Sequence, residues 1–405
     1  MLRSIAAVLS ATTLSQVLLI ISSPLLSRLY TPVDFGIYIF TMTVVAVISP
    51  LVMLRLENAI VVAEIPHIAG LKKVCLFLSI LWFLISFVFV AFFGDEIISL
   101  SGQKNEVLFA YFIPPILTLT CLTNVTLNMA IVKASFKCIG KNKVIISIST
   151  ILSQIILGFW GVGANGLLLG ALLGMLLGVA YMWSFMKCEP KEEIDLSSIY
   201  AMLKKYSNFP KFDVPSSLFN LLSLQLPNLS LGKLTNSQIL GYFSFTSRVM
   251  LMPINLISQS VGVVFKKQAI VAKKEGSIRK LFFKVSFSLF VLGLIPFSLL
   301  LFFGAEIFEF VFGNAWKESG VYATILVPML FFKFIVSPVS FVLYIFEKQK
   351  LDMLLQLAYL LSTTISIILL WRGIDIIQML YIYSLGGSLI YILYWIVCFR
   401  LTEGK

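Results

Sequence analysis

Residues 33–63 read VDFGIYIFTMTVVAVISPLVMLRLENAIVVA. A run of about 20 predominantly apolar residues is what a helix needs to cross the hydrocarbon core of a bilayer. The stretch therefore predicts a membrane-spanning helix. Near its far end it carries Arg55-Leu56-Glu57, two full charges in an otherwise apolar run. A charge at membrane depth costs roughly 2.5–3.5 kcal/mol on insertion scales and marks a candidate functional position. On a helix, residues two apart point to nearly opposite faces, so Arg55 and Glu57 are not expected to pair with each other. Each needs a partner on another helix, a water-filled cavity, or a route to the membrane surface by snorkelling.

The rest of the chain repeats this theme. It has 405 residues, of which 59% are hydrophobic and 12% charged. A soluble domain carries roughly 25% charged residues, so the composition is that of an integral membrane protein. Twelve segments are long and apolar enough to span: 5–29, 33–63, 74–94, 107–132, 144–162, 164–186, 210–232, 237–265, 281–303, 319–346, 351–371 and 375–399. The first reads as an uncleaved transmembrane helix rather than a signal peptide. The fifth and sixth are joined by the tight turn Gly161-Val162-Gly163.

The net charge of +12 is a topology signal, not a nucleic-acid signal. With a cytoplasmic N-terminus, the outer segments hold only Arg28, Lys104, Lys233, Lys317 and Arg372, and every other basic loop residue falls inside. Both termini are then cytoplasmic. Cys75, Cys121, Cys138, Cys188 and Cys398 form no CxxC pair, and none is placed outside, so neither a disulfide nor a metal site is expected. His67, the one histidine, reads as a solvated loop residue.

An internal repeat sets the architecture. FFGDEII at 92–98 matches FFGAEIF at 302–308, a shift of 210. Arg28-Leu29 matches Lys233-Leu234 and Gly36 matches Gly241, both shifted by 205. Six helices per half give both halves the same orientation and a pseudo-two-fold axis along the membrane normal, the pattern of parallel repeats in transporters. The expected organisation is an all-α membrane protein: a first bundle at 1–187, a cytoplasmic linker at 188–209 with an amphipathic stretch from Leu196 to Tyr206, and a second bundle at 210–405 around a central cavity.

Charge at depth is mostly cationic. Lys333 sits at the middle of the tenth segment and Arg248 near the middle of the eighth, beside Arg55 and Glu57 on the second and Asp213 at the start of the seventh. Cations without matching carboxylates imply that an anion visits, and the planar fork of arginine suits phosphate. Polar stripes accompany them. Asn255 and Gln259 share a helix face with Arg248, Asn220 lies between Ser216 and Ser223, and Asn124 lies between Thr120 and Asn128. The competing reading of each stripe is interhelical hydrogen bonding.

Certain motifs carry a family likeness. Ser27-Arg28-Leu29-Tyr30-Thr31-Pro32-Val33-Asp34-Phe35-Gly36 resembles the first loop of bacterial polysaccharide flippases of the multidrug/oligosaccharidyl-lipid/polysaccharide exporter superfamily. Arg55-Leu56-Glu57-Asn58-Ala59-Ile60 resembles their Arg-Tyr-Glu-Leu-Ala-Ile stretch, departing at Leu56 and Asn58. Phe209-Pro210-Lys211-Phe212 with Pro215-Ser216, and Gly241-Tyr242-Phe243 through Arg248, Pro253 and Gln259, resemble their seventh and eighth helices. The resemblance implies twelve helices in two bundles around an alternately open cavity. It implies translocation of an undecaprenyl-pyrophosphate-linked oligosaccharide repeat unit across the inner membrane, with a polysaccharide polymerase and chain-length proteins as partners. Arg55, Arg248, Lys333, Asn255, Gln259, Asn220 and Asn124 are then the substrate-binding candidates, and Glu57 and Asp213 the candidates for coupling to a proton or sodium ion. No cofactor and no catalytic residue is expected. A polysaccharide polymerase or acyltransferase would need a catalytic group in a large outer loop, and the outer loops are short. A cation-coupled drug antiporter would want central carboxylates. A lipid II exporter would share fold and substrate charge.

Overall fold

The computed structural model describes residues 2–100, 107–133, 135–186, 196–207, 209–346 and 348–403. Among the described residues there is no β-strand. The helices are α1 (Leu2–Leu29), α2 (Pro32–Val52), α3 (Leu56–Val62), α4 (Ile65–Leu100), α5 (Ile113–Val132), α6 (Phe136–Phe159), α7 (Ala164–Met186) and α8 (Leu196–Lys205). They continue with α9 (Val214–Leu234), α10 (Ser237–Lys274), α11 (Ile278–Phe312), α12 (Lys317–Val336), α13 (Val342–Ile345), α14 (Gln349–Trp371) and α15 (Ile376–Thr402). Eleven helices among the described residues are long and apolar enough to cross a membrane. The 21-residue α9 has the length but a more polar sequence, so each of the twelve expected segments does carry a helix.

Local chemistry explains where these helices begin and turn. Thr31 caps α2: its Oγ1 accepts from the Asp34 N–H at 3.3 Å, while the Asp34 carboxylate accepts from the Thr31 N–H at 2.8 Å. This reciprocal capping box, followed by Pro32 at the first helical position, fixes the entry to α2. The α6–α7 turn needs Gly161 and Gly163, whose φ angles are 68° and 63°. On α7, Gly170, Gly174 and Gly178 recur every fourth residue and let α6 approach at Gln154, Thr150 and Ile146, the small-residue packing of membrane helices.

The second expected span is not one helix. It stops at Val52, turns through Met53-Leu54-Arg55, and restarts as α3 at Leu56. Leu54 and Arg55 have φ of 52° and 59°, a left-handed conformation that costs a side-chain-bearing residue roughly 1–2 kcal/mol. The break also corrects the expectation that Arg55 and Glu57 point apart, because residues two apart diverge only on a continuous helix.

The repeat is visible in the backbone. Phe93 in α4 (φ −121°, ψ 20°) and Phe303 in α11 (φ −127°, ψ 21°) each interrupt their helix at the same place in the matched FFG motif. The first turns of α2 and α10 cross with almost no space. A Cβ on Gly36 would lie 1.8 Å from the Ser237 carbonyl oxygen, and one on Gly241 would lie 1.8 Å from that of Pro32. Residues 32 and 237 are related by the same shift of 205 as the two glycines.

By packing, the chain forms two compact units, 1–241 and 242–405. In the first, α6 packs with α1 and α7, α4 with α5, and α2 with α5, α7 and α9. The organisation 1–187, 188–209 and 210–405 follows the repeat, whereas α9 packs within the first unit. In the second, α12 lies between α11 and α15, and α14 packs on α15. One end of that unit is held by Trp316 stacked on Phe245 with Phe308 and Phe312. The other holds buried Phe265, Phe282, Val339 and Leu343. Cys75, Cys121, Cys138 and Cys398 are buried free thiols, and Cys188 lies outside the described residues.

Candidate functional site

The break between α2 and α3 builds a compact polar cluster against the start of α9. The left-handed backbone at Arg55 swings its side chain toward α9, where Nε and Nη2 both donate to Ser217 Oγ, at 2.8 and 2.5 Å. Ser217 in turn donates to Asp213 Oδ1 at 3.3 Å. Arg55 Nε lies 4.0 Å from Asp213 Oδ2, and Nη1 lies 3.6 Å from Glu57 Oε1. Asn58 Nδ2 donates to Asp213 Oδ2 at 2.9 Å. Asp213 is positioned by the π turn Phe209–Asp213 that precedes α9. Arg55 is therefore neither snorkelled away nor unpaired: it is shared between two carboxylates and a hydroxyl.

Glu57 is the buried member, only 3% exposed. Its Oε1 faces Arg55, and its Oε2 is buried with no hydrogen-bond partner among the described residues. Its backbone carbonyl accepts from Asn128 Nδ2 on α5 at 2.9 Å, which ties α3 to α5. A second polar contact lies between α2 and α9, where Thr43 donates to Gln225 at 3.3 Å and Asn228 donates to the same oxygen at 3.1 Å. The packing of α2 on α9 thus includes a polar contact at Thr43 and Gln225.

Three of the expected residues, Arg55, Glu57 and Asp213, are thus brought together in one unit. Asn124 lies half-buried on α5, one turn from Asn128. The side chains of Asn220 and Gln259 lie outside the described residues. Arg248 on α10 and Lys333 on α12 are half-buried and form no hydrogen bond or ion pair through their side chains among the described residues, and Asn255 is exposed. Ser217 is not among the residues expected from the sequence, and Asn58 enters there only as a departure from a motif. Ser217 stands four residues after Asp213, a spacing that shares a helix face, and that signal was available.

Several polar stripes close on themselves. Ser15, Ser23 and Ser27 on α1 donate to carbonyls of their own helix at 2.9, 2.7 and 2.9 Å, and Thr120 on α5 does so at 2.8 Å. Thr12 accepts from Lys143 on α6 at 2.9 Å. These hydroxyls serve the backbone and helix packing.

His67 is not a solvated loop residue. It lies in the first turn of α4, with Nδ1 3.3 Å from Tyr206 Oη and 3.8 Å from Glu64 Oε2. Tyr206 also accepts from the Glu64 N–H at 3.2 Å, and Lys205 at the end of α8 reaches Glu64 Oε1 at 2.6 Å. The hydrogen bond from Lys205 holds the Glu64 carboxyl below its usual range, and the same bond raises the Lys205 ammonium.

Comparison with known proteins adds a family and a fold. A family model described as polysaccharide biosynthesis protein matches residues 25–321. No curated protein matches the sequence. Among solved structures, a lipid II flippase, MurJ, in an inward closed conformation superposes with a TM-score of 0.67 at 17% identity, covering 97% of this chain and 88% of that one. An inward-facing multidrug resistance MATE family transporter of the MOP superfamily superposes with a TM-score of 0.66 at 11% identity, covering 96% and 95%. At such identities the likeness is one of fold.

Proposed function

This chain belongs to the polysaccharide biosynthesis protein family, and from that premise we propose that it is a flippase for an undecaprenyl-pyrophosphate-linked oligosaccharide repeat unit. It would carry the unit from the cytoplasmic to the outer leaflet of the inner membrane by alternating access, as a transporter and not an enzyme. The observation that carries the reading is the pair Arg248 and Lys333. Both are cations on membrane-length helices, and neither has an acidic partner among the described residues. An unpaired cation in a low-dielectric setting is costly and calls for an anionic ligand. A pyrophosphate meets that call, and a cationic drug does not.

In this mechanism the basic inner rim and Arg55 attract the pyrophosphate, and Arg248 and Lys333 hold it at depth. Asn124, Asn220, Asn255 and Gln259 offer hydrogen bonds to sugar hydroxyls. Arg55 can exchange a phosphate oxygen for Ser217 and Asp213 without being left bare, because its fork has five donors. Glu57, with one carboxyl oxygen unpartnered among the described residues, and Asp213 are the groups that would bind a proton or sodium ion as the transporter cycles. Such coupling requires that the carboxylate's affinity for the ion differ between the two states.

The test is a strain lacking the gene. Lipid-linked repeat units should accumulate in the membrane while surface polysaccharide disappears. Units that never form would make the protein part of their assembly. Loss of peptidoglycan synthesis with normal polysaccharide would point to lipid II as the cargo. Normal polysaccharide with reduced resistance to cationic compounds would favour a drug antiporter.

A further inference from the structure

At the hairpin that joins α10 to α11, several basic side chains are already engaged. Lys273 donates to the Ile345 carbonyl at 2.7 Å and lies over the Phe346 ring. Lys266 lies over the Phe341 ring, and Arg279 is 2.9 Å from Glu403. Lys280 and Lys284 differ. They are exposed, they stand one turn apart on one face of α11, and neither has a partner among the described residues.

These two lysines edge a groove of about 770 Å³ between the last turns of α10 and the first turns of α11. Val264, Val271 and Leu281 give it an apolar wall, and Glu275 is the one carboxylate among its described lining residues. A second hollow of about 310 Å³ shares Val264 and Gln268 with it and continues away from the hairpin to Val285. The groove therefore has two lysines along its α11 edge and a largely apolar wall that continues past Gln268 into the second hollow.

We infer that this groove binds one anionic phospholipid, its phosphodiester on Lys280 and Lys284 and an acyl chain along Val264 and Val285. Charge selects the headgroup. Among the described lining residues, two lysines against Glu275 leave a single net positive charge, which matches a phosphodiester. Shape selects the molecule, because the continuing apolar hollow has no use for a free phosphate. Position agrees: the basic bias of the sequence puts this hairpin at the cytoplasmic leaflet, where juxtamembrane lysines meet anionic lipids. The site concerns a bound lipid and stands whatever the cargo is.

The experiment offers phosphatidylglycerol and phosphatidylcholine together, in equal amounts, to the purified full-length protein and counts retained lipids by native mass spectrometry. The wild type should retain phosphatidylglycerol preferentially. Lys280→Gln/Lys284→Gln should lower that preference on the order of tenfold. Lys274→Gln, at an exposed lysine that does not line the groove, should leave it unchanged. Millimolar inorganic phosphate should not displace the lipid. An unchanged preference in the double variant, an equal loss in Lys274→Gln, or displacement by phosphate would each overturn the assignment. A measurement on the wild type covers a double variant that fails to fold. Phosphatidylglycerol with a photoactivatable chain should label residues 260–285 above other lipid-facing helices, and even labelling contradicts the site.

Discussion

Lys333 concentrates the tension between stability and function in one side chain. It is half-buried on α12 with no acidic partner among the described residues. Lys333→Leu should therefore stabilise the purified protein, by about 1–3 kcal/mol, while abolishing export of the lipid-linked unit. A thermal melt in detergent and a complementation assay read the two effects, and a destabilised variant would mean that the lysine is structurally paired. Leu54 carries a different strain, a left-handed backbone next to Arg55. Leu54→Gly should relieve it and stabilise by about 1 kcal/mol, provided the turn persists in the dominant state of the purified protein. A loss of stability would show that the leucine side chain matters more than its φ angle. The charges of this region are legible in sequence because Arg55 and Glu57 interrupt an apolar run. Their pairing is not, because Met53-Leu54-Arg55 contains neither glycine nor proline to announce a left-handed turn.

Two pairs of elements make contacts that substitutions can read. At the crossing of α2 and α10, Gly36→Ala and Gly241→Ala each push a methyl into a carbonyl oxygen. Each should destabilise by about 1–3 kcal/mol. Because both force the same two helix ends apart, the double variant should cost less than the sum of the singles. Strict additivity would show two independent contacts. The second pair is α8 and the start of α4, joined by Lys205 and Glu64. The lowered Glu64 carboxyl contributes stability above the usual glutamate range, and that contribution is lost as pH falls through its own value. The raised Lys205 ammonium contributes below the usual lysine range and is lost as pH rises through its own value. Amide protection of residues 199–206 should thus be flat between about pH 5 and 9 and fall only outside that window, on either side. A sharp loss inside that window would mean that the Lys205–Glu64 pair does not hold α8 to α4.

At the scale of the whole molecule, length and hydropathy in the sequence place the long helices, while the breaks inside 33–63 and 319–346 need coordinates, and the duplication read from FFGDEII and FFGAEIF is matched by interruptions at Phe93 and Phe303. The compact unit that α9 joins is not legible in the same way. The polar contacts of α9, from Arg55 to Ser217 and from Thr43 to Gln225, are single side-chain hydrogen bonds, and hydropathy is blind to them. Arg248 and Lys333, which have no acidic partner among the described residues, show in sequence only as charges at depth. Their lack of partners needs coordinates.

If this chain moves an anionic lipid-linked oligosaccharide across the membrane, as proposed, the leaflet in which the units lie depends on it. Spheroplasts with and without the gene would be treated with a membrane-impermeant enzyme or lectin that recognises the repeat unit. Units should be reached when the protein is present, stay protected when it is absent, and be protected again when Arg248→Ala/Lys333→Ala replaces the wild type. Units equally accessible without the protein would contradict it.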